Sequence, residues 1–278
     1  MIKPSRVISI AGSAAGGSAG IQADLKTFQE LDVYGMSAIT AIVAKSEATG
    51  KNVHLQTLES IEAQYMTAKR QVGIDTLKVG MLFSKEIIEK VSELIRQTFA
   101  RSVVVDPVMI GKLDSKLLAD DAAEVLIKQL LPLATIITPN MPEASVLLDN
   151  RELKTVEDLK QAAIDIHHLG LNYVLVKGGR LDGPAVDVLY DGSTLTTFEA
   201  PRIHTENTSG AGCTYSAAIA AYLARGKSVV EAVHLAKTFV TTAIEYGFTY
   251  TNHVGPTYHA AMRLNGVAHH IKVTEETV

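Results

Sequence analysis

The feature that most constrains this chain is a repeated alternation. Short β-branched and apolar runs exchange with longer amphipathic stretches along most of its 278 residues. Strands are expected at Val7–Ala11, Ser37–Ala44, Thr76–Val79, Ser102–Asp106, Thr135–Thr138 and Tyr173–Lys177. Val186–Tyr190 and Thr194–Ala200 flank Asp191-Gly192, a hairpin-turn dipeptide. Helices are expected over Gly20–Leu31, Ile61–Gln71, Lys85–Phe99, Asp121–Leu130, Pro142–Leu148, Val156–Leu169, Gly212–Ala224 and Val229–Tyr246. Several strands are continuous apolar runs, which means burial on both faces, as in a parallel sheet covered by helices. Strand–helix alternation calls for βαβ units. The fold class is therefore α/β, a central mostly parallel sheet flanked by helices on both faces. No linker, repeat or low-complexity tract divides residues 1–278, so one domain is expected. The polar tail after about Asn265 is expected to be loosely held.

Composition narrows the function classes. A chain this long buries roughly 75% of its unfolded surface and needs no covalent staple. Its single cysteine excludes an internal disulfide and any multi-cysteine metal site, and it suits a reducing compartment. A net charge of −4, from 26 basic and 30 acidic residues, gives no nucleic-acid footprint. No run reaches about 18 apolar residues, so no membrane span is expected. Val7–Ala11 is too short for a signal h-region, and a cytoplasmic protein is expected.

In open α/β sheets ligands sit at the carboxyl ends of the strands, so the loops there are where chemistry is sought. Gly12-Ser13-Ala14-Ala15-Gly16-Gly17-Ser18-Ala19-Gly20 lets backbone approach a ligand and opens a helix whose N–H groups favour an anion. It also reads as a plain flexible loop, and its glycine spacing is not a dinucleotide fingerprint. Asp106, before Pro107, is either a turn residue or a carboxylate facing a phosphate-bound cation. Asn140 and Glu143 form a capping-box pattern that is compatible with a role beside Mg²⁺ and phosphate. Lys177-Gly178-Gly179 suits either a turn or a phosphate edge. Thr208-Ser209-Gly210-Ala211-Gly212-Cys213 is the sharpest signal: glycines at a helix start make an anion hole. At that start the helix dipole favours the thiolate of Cys213, unless the cysteine is a small core residue.

Two decoys fall away. Gly226-Lys227-Ser228 resembles the end of a Walker A loop, but Ala221 stands where that loop needs glycine. The nine histidines carry no recognised metal-ligand motif.

Taken together, these loops resemble the ribokinase superfamily. The chain is most similar to the hydroxymethylpyrimidine/phosphomethylpyrimidine kinase family, including its bacterial pyridoxal kinase branch. The carrying residues are Ala11-Gly12-Ser13, Gly20 to Phe28, Lys78 to Leu82, Val105 to Met109, Thr138-Pro139-Asn140 with Glu143, Lys177-Gly178-Gly179, Gly210 to Thr214 and Val254-Gly255-Pro256. The resemblance implies a ribokinase-like fold and ATP-dependent phosphorylation of a ring-borne hydroxymethyl group, with Mg²⁺. It implies Cys213 as base or proton relay, and Gly210, Ala211 and Gly212 as phosphoryl-binding N–H donors. Asp106 and Glu143 would organise the metal. Asn140, Glu143, Lys177, Gly179 and Thr208 would bind ATP, and Lys112 would sit on a closing flap. Gly12, Ser13, Ala19, Asp24, Lys45, Met81 and Val108 would contact the substrate. A homodimer is implied as well, with no nucleic-acid or membrane partner.

The segments Phe28 to Met36, Pro184 to Gly192 and Tyr250 to Pro256 look more like the pyridoxal kinase branch. Departures from the family pattern cluster on the substrate side. Ala14 replaces an Asp, Lys45 a Gln or Met, Gly111 the branch's lid cysteine, and Ser209 a His. Three readings follow: a vitamin B6 kinase, a hydroxymethylpyrimidine kinase of thiamine synthesis, and a vitamin-binding protein with little catalysis.

Overall fold

The structure, a computed structural model, describes residues 3–110, 118–250 and 254–278. Its frame is a ten-stranded sheet. The strands are β1 (Arg6–Ala14), β2 (Tyr34–Val43), β3 (Val53–Leu55), β4 (Thr76–Val79), β5 (Ser102–Val105), β6 (Ile136–Ile137), β7 (Val174–Gly178), β8 (Ala185–Tyr190), β9 (Thr194–Ala200) and β10 (Lys272–Thr277). They lie in the order β10-β9-β8-β7-β6-β5-β4-β1-β2-β3. The centre, from β2 through β1, β4, β5 and β6 to β7, is parallel. β3 and the β8–β9–β10 meander pair antiparallel at the two edges.

The described helices are α1 (Ile21–Glu30), α2 (Leu58–Gln71), α3 (Lys85–Arg96), α4 (Asp120–Val125), α5 (Met141–Leu147), α6 (Val156–His167), α7 (Ala211–Ala224), α8 (Val229–Glu245) and α9 (Ala261–Asn265). The two-residue period of a strand sends successive side chains to opposite layers. Ile8, Ile10, Leu77, Val79, Val103 and Val105 pack with α2 to α6. Val7, Val104, Ile136 and Leu175 pack with α1, α7 and α8. By that same alternation Ser9, Lys78 and Lys177 face the α1/α7/α8 layer, and two of these are charged.

Thr76–Val79 and Thr194–Ala200 keep the boundaries that their sequence predicts. The helix expected to end at Leu130 is α-helical only to Val125 and continues as one wider π turn over Leu126–Leu130. Three elements lack a sequence signal: β3, α9 and β10. The tail expected to be loose instead adds β10 to the sheet, with Lys272 paired to Glu199 and Thr277 to Thr194. Every β10 side chain is exposed, so backbone hydrogen bonds hold it and no apolar alternation announces it.

Candidate active site

Strand order reverses beside β1: the chain continues to β2 on one side and returns to β4 on the other. Such a switch point leaves a crevice at the carboxyl ends of the strands. Two glycine loops meet there. Gly20 caps α1 with φ 60°, and a Cβ on it would lie 2.1 Å from the Gly12 carbonyl oxygen. Gly210 caps α7 with φ 85°, and a Cβ there would lie 1.7 Å from the Ser18 carbonyl oxygen. Only glycine tolerates both the conformation and the approach. The Ser209 hydroxyl donates to Ser18 Oγ at 3.0 Å, and the Gly20 N–H donates to Cys213 Sγ at 3.4 Å. The first loop and the last are thus one structure.

Cys213 is half-buried in the first turn of α7. The sequence reading has the helix dipole favouring its thiolate. In the fold, burial pushes the thiol up, against Lys78 and the Gly20 N–H, which lower it. Magnitudes explain the outcome. A helix terminus contributes about 0.3–1 kcal/mol, less than one pH unit, whereas burial shifts a group by up to about 3–5 units. The anion hole also differs from expectation. The Ala211 N–H is taken by the Thr208 carbonyl at 3.1 Å, so the first-turn donors that remain are those of Gly212 and Cys213.

Asp106, at the end of β5, is buried and gathers four elements. Its Oδ1 accepts from Lys177 Nζ at 2.8 Å and Thr138 Oγ1 at 3.0 Å, and its Oδ2 accepts from Ser216 Oγ at 3.3 Å. Asn140 and Glu143 make the capping box at the start of α5. Asn140 Oδ1 accepts from the Glu143 N–H at 2.9 Å, and Glu143 Oε2 accepts from the Asn140 N–H at 2.8 Å. Burial pushes the Glu143 carboxyl up to about 8, with Lys177 opposing. Among the described residues no cluster of three or more His, Cys, Asp or Glu side chains could hold a metal by itself. Two buried carboxylates, with the Asp106 charge adding to the burial that pushes Glu143 up, do fit Mg²⁺ taken largely through phosphate oxygens and water.

A cavity of about 330 Å³ opens beside this cluster, lined by Lys177, Gly179, Thr208, Gly212, Tyr215 and Lys237 among others. That volume suits a small ligand. One residue secures its rim. Arg202 donates to the carbonyls of Gly179 (2.6 Å), Leu181 (2.6 Å), Gly183 (3.0 Å) and Pro184 (3.3 Å), fastening the β7–β8 turn. A buried Lys237–Asp187 ion pair, 2.6 Å, lies in its wall, and Asp187 Oδ1 also accepts from the Gly178 N–H.

On the other side of the crevice, Gly12 lies against Phe83 and Met81. Ser13 Oγ accepts from Gln22 Nε2 at 2.7 Å, and the Met81 carbonyl accepts from Thr40 Oγ1 at 2.9 Å. Ala19 and Val108 are partly exposed near the same strand ends. One expected substrate contact is buried away from the crevice, and another lies exposed just past the carboxyl end of β2. Asp24 is fully buried beneath the site, ion-paired to Lys78 at 2.9 Å, so it offers no atom to a ligand in this conformation. Lys45 is exposed and meets Glu47 at 3.4 Å. Gly111 and Lys112 lie outside the described residues. The sequence reading did not single out Lys78, Lys237 or Asp187 as site residues. Lys78 had a signal: a lysine within Thr-Leu-Lys-Val, a strand buried on both faces, needs a partner.

Comparison with known proteins identifies the family. The phosphomethylpyrimidine kinase family profile matches residues 15–258. Pyridoxine kinase of Bacillus subtilis is 47% identical over 94% of this chain and 97% of its own length. Hydroxymethylpyrimidine/phosphomethylpyrimidine kinase of the same organism is 40% identical over the same shares. The pyridoxal kinase from Staphylococcus aureus, solved in complex with AMP-PCP and pyridoxal, superposes with a TM-score of 0.89 at 42% identity, covering 100% of both chains. No helix among the described residues is long and apolar enough to cross a membrane.

One group under the anion hole makes the fold sensitive to acid. His259 is 6% exposed, and its Nε2 lies 3.0 Å from Thr214 Oγ1. Burial lowers it to about 4. The unfolded chain takes this proton near pH 6.5, earlier than the folded one, so the stability it contributes is present above that pH and lost as pH falls toward 4. The full effect is about 3 kcal/mol. Melting temperature is expected to fall between pH 7 and pH 4.5, and His259→Gln is expected to flatten part of that fall. An unchanged pH dependence in the variant contradicts the assignment.

Proposed function

The chain belongs to the phosphomethylpyrimidine kinase family and is a small-molecule kinase, and from that premise we propose that it transfers the terminal phosphoryl group of ATP to the 5′-hydroxymethyl of pyridoxal, pyridoxine or pyridoxamine. One observation carries the proposal. Cys213 sits on the first turn of α7, between the Gly20 N–H and the glycine anion hole, at the point where the two sides of the crevice meet. Its sulfur takes the hydroxyl proton as the acceptor oxygen bonds to the γ-phosphorus and the bond to the β-phosphate bridging oxygen breaks, leaving ADP. The first-turn N–H groups of Gly212 and Cys213 hold the transferring oxygens. Such chemistry depends on positioning and charge stabilisation.

Lys177, Gly179, Thr208 and Asn140 line the nucleotide side. Gly12, Ser13, Ala19, Met81 and Val108 form the acceptor wall. Asp106 and Glu143 would hold Mg²⁺, which would supply neutralisation of the phosphate charge. We assign the enzyme to the cytoplasm, which its single reduced cysteine suits, and expect a homodimer. The choice of vitamin B6 is supported by the greater identity to pyridoxine kinase than to hydroxymethylpyrimidine kinase, 47% against 40%. The second figure keeps a pyrimidine acceptor as the alternative.

ADP release by purified protein with Mg-ATP tests the proposal when pyridoxal, pyridoxine, hydroxymethylpyrimidine and no acceptor are run side by side. Turnover with a B6 vitamer is expected to exceed that with the pyrimidine; the reverse order moves the enzyme to thiamine synthesis. Cys213→Ala is expected to lower turnover about 10²- to 10⁴-fold while ATP still binds. In the parent enzyme, kcat is expected to climb with pH from neutral into the alkaline range, because burial keeps the thiol protonated at neutral pH. A variant with full turnover removes Cys213 from the mechanism. Arg202→Ala is expected to raise the KM for ATP about tenfold and leave the acceptor KM unchanged. Equal changes in both would assign Arg202 a general role in the fold.

A further inference from the structure

Lys78 is 0% exposed and lies in β4, the central strand next to β1. Its register partner is Ser9, and both project into the layer formed by α1 and α7. Asp24, on α1, is also 0% exposed. Its Oδ2 accepts from both Lys78 Nζ and Ser9 Oγ, while its Oδ1 has no partner. A protonated carboxyl would have no acceptor at that free oxygen, so the geometry is that of an ion pair. Burial alone would lower the Lys78 ammonium, but Asp24, Cys213 and Asp106 outweigh it and hold Lys78 charged. Gly80 leaves the room: a Cβ on it would lie 2.9 Å from Lys78 Nζ.

The pair reaches the reacting end of the site through one residue. The Asp24 N–H donates to the Gly20 carbonyl at 3.0 Å, and the Gly20 N–H donates to Cys213 Sγ at 3.4 Å. Helix α7, which carries Cys213, packs across α1, β1 and β4. Among the described residues, four charges therefore bear on the sulfur: Asp24 from α1, Lys78 from β4, Asp106 from the end of β5 and Lys177 from β7.

We propose that Asp24 and Lys78 are positioning residues for phosphoryl transfer: the buried pair fixes Gly20 against Cys213 and sets how readily its sulfur takes the acceptor's proton. The inference rests on Cys213 being the proton acceptor. The two charges act in opposition, Lys78 favouring the thiolate and Asp24 disfavouring it, with Lys78 the stronger. A residue needed only for packing would not shift the sulfur in a direction set by its sign.

Cys213 is the chain's only cysteine, so alkylation by iodoacetamide, read by intact mass across pH, reports one thiol. Run without nucleotide, it is independent of turnover. Lys78→Met is expected to raise the alkylation midpoint by about one pH unit or more, and Asp24→Asn to lower it by a similar amount. The alkaline rise of kcat is expected to move in the same two directions. The double variant Asp24→Asn/Lys78→Met leaves no lone buried charge and carries the test if either single variant fails to fold. Its midpoint is expected to lie above that of the parent. Superimposable midpoints in folded variants, or a lowered midpoint in Lys78→Met or the double variant, would overturn the proposal. Shifted midpoints combined with full turnover in Cys213→Ala would instead leave the electrostatic coupling standing and remove the base.

Discussion

Gly210 closes against the Ser18 carbonyl more tightly than any side chain would allow, and the site exists because of that approach. Ser18 and Ser209 are 191 residues apart in sequence, yet their hydroxyls meet at 3.0 Å. The contact joins the start of α1 to the start of α7, so two helix N-termini face one crevice. The same junction fixes the 254–259 segment: the Ser209 N–H donates to the Gly255 carbonyl, and its carbonyl accepts from the Thr257 N–H. Glycine supplies the left-handed φ at both caps, and the parallel sheet supplies the switch point that brings them together.

Charge is handled in the same confined space by pairing. Lys177 with Asp106, Lys78 with Asp24 and Lys237 with Asp187 are each largely buried and each hydrogen-bonded. Breaking a buried pair costs about 3–5 kcal/mol, because the remaining charge has no solvent. Such pairs are weak evidence for stability, since apolar residues of similar volume would serve as well. Their positions argue for function instead. One lies at the carboxyl ends of β5 and β7, one beneath Cys213, and one in the wall of the cavity. Glu143, pushed up to about 8 by burial, is a carboxylate that a bound cation would relieve.

Much of this was legible beforehand, for reasons that can be named. Continuous apolar runs such as Val103–Val105 identify the parallel core, and Asp191-Gly192 identifies the β8–β9 turn, where Asp191 Oδ1 accepts from the Ser193 and Thr194 N–H groups. The Asn140–Glu143 cap follows from local spacing alone. What escaped depends on long-range pairing. β10 has no buried face to pattern its sequence. The family resemblance makes Asp24 a substrate contact, and only the fold shows that Lys78 claims it from 54 residues away. The Cys213 dipole argument follows from the sequence, but the opposing burial does not, since burial belongs to the packed state.

The claim that the two glycine loops must touch to make the site is open to one direct measurement. Gly210→Ala places a methyl group where the Ser18 carbonyl stands, 1.7 Å away, in a backbone conformation that alanine resists. Steady-state turnover with Mg-ATP and the best acceptor is then expected to fall below about 1% of the parent, from the loss of anion-hole donors worth about 10²- to 10³-fold, with the far-ultraviolet dichroism preserved. A folded Gly210→Ala enzyme with parental turnover would contradict the account.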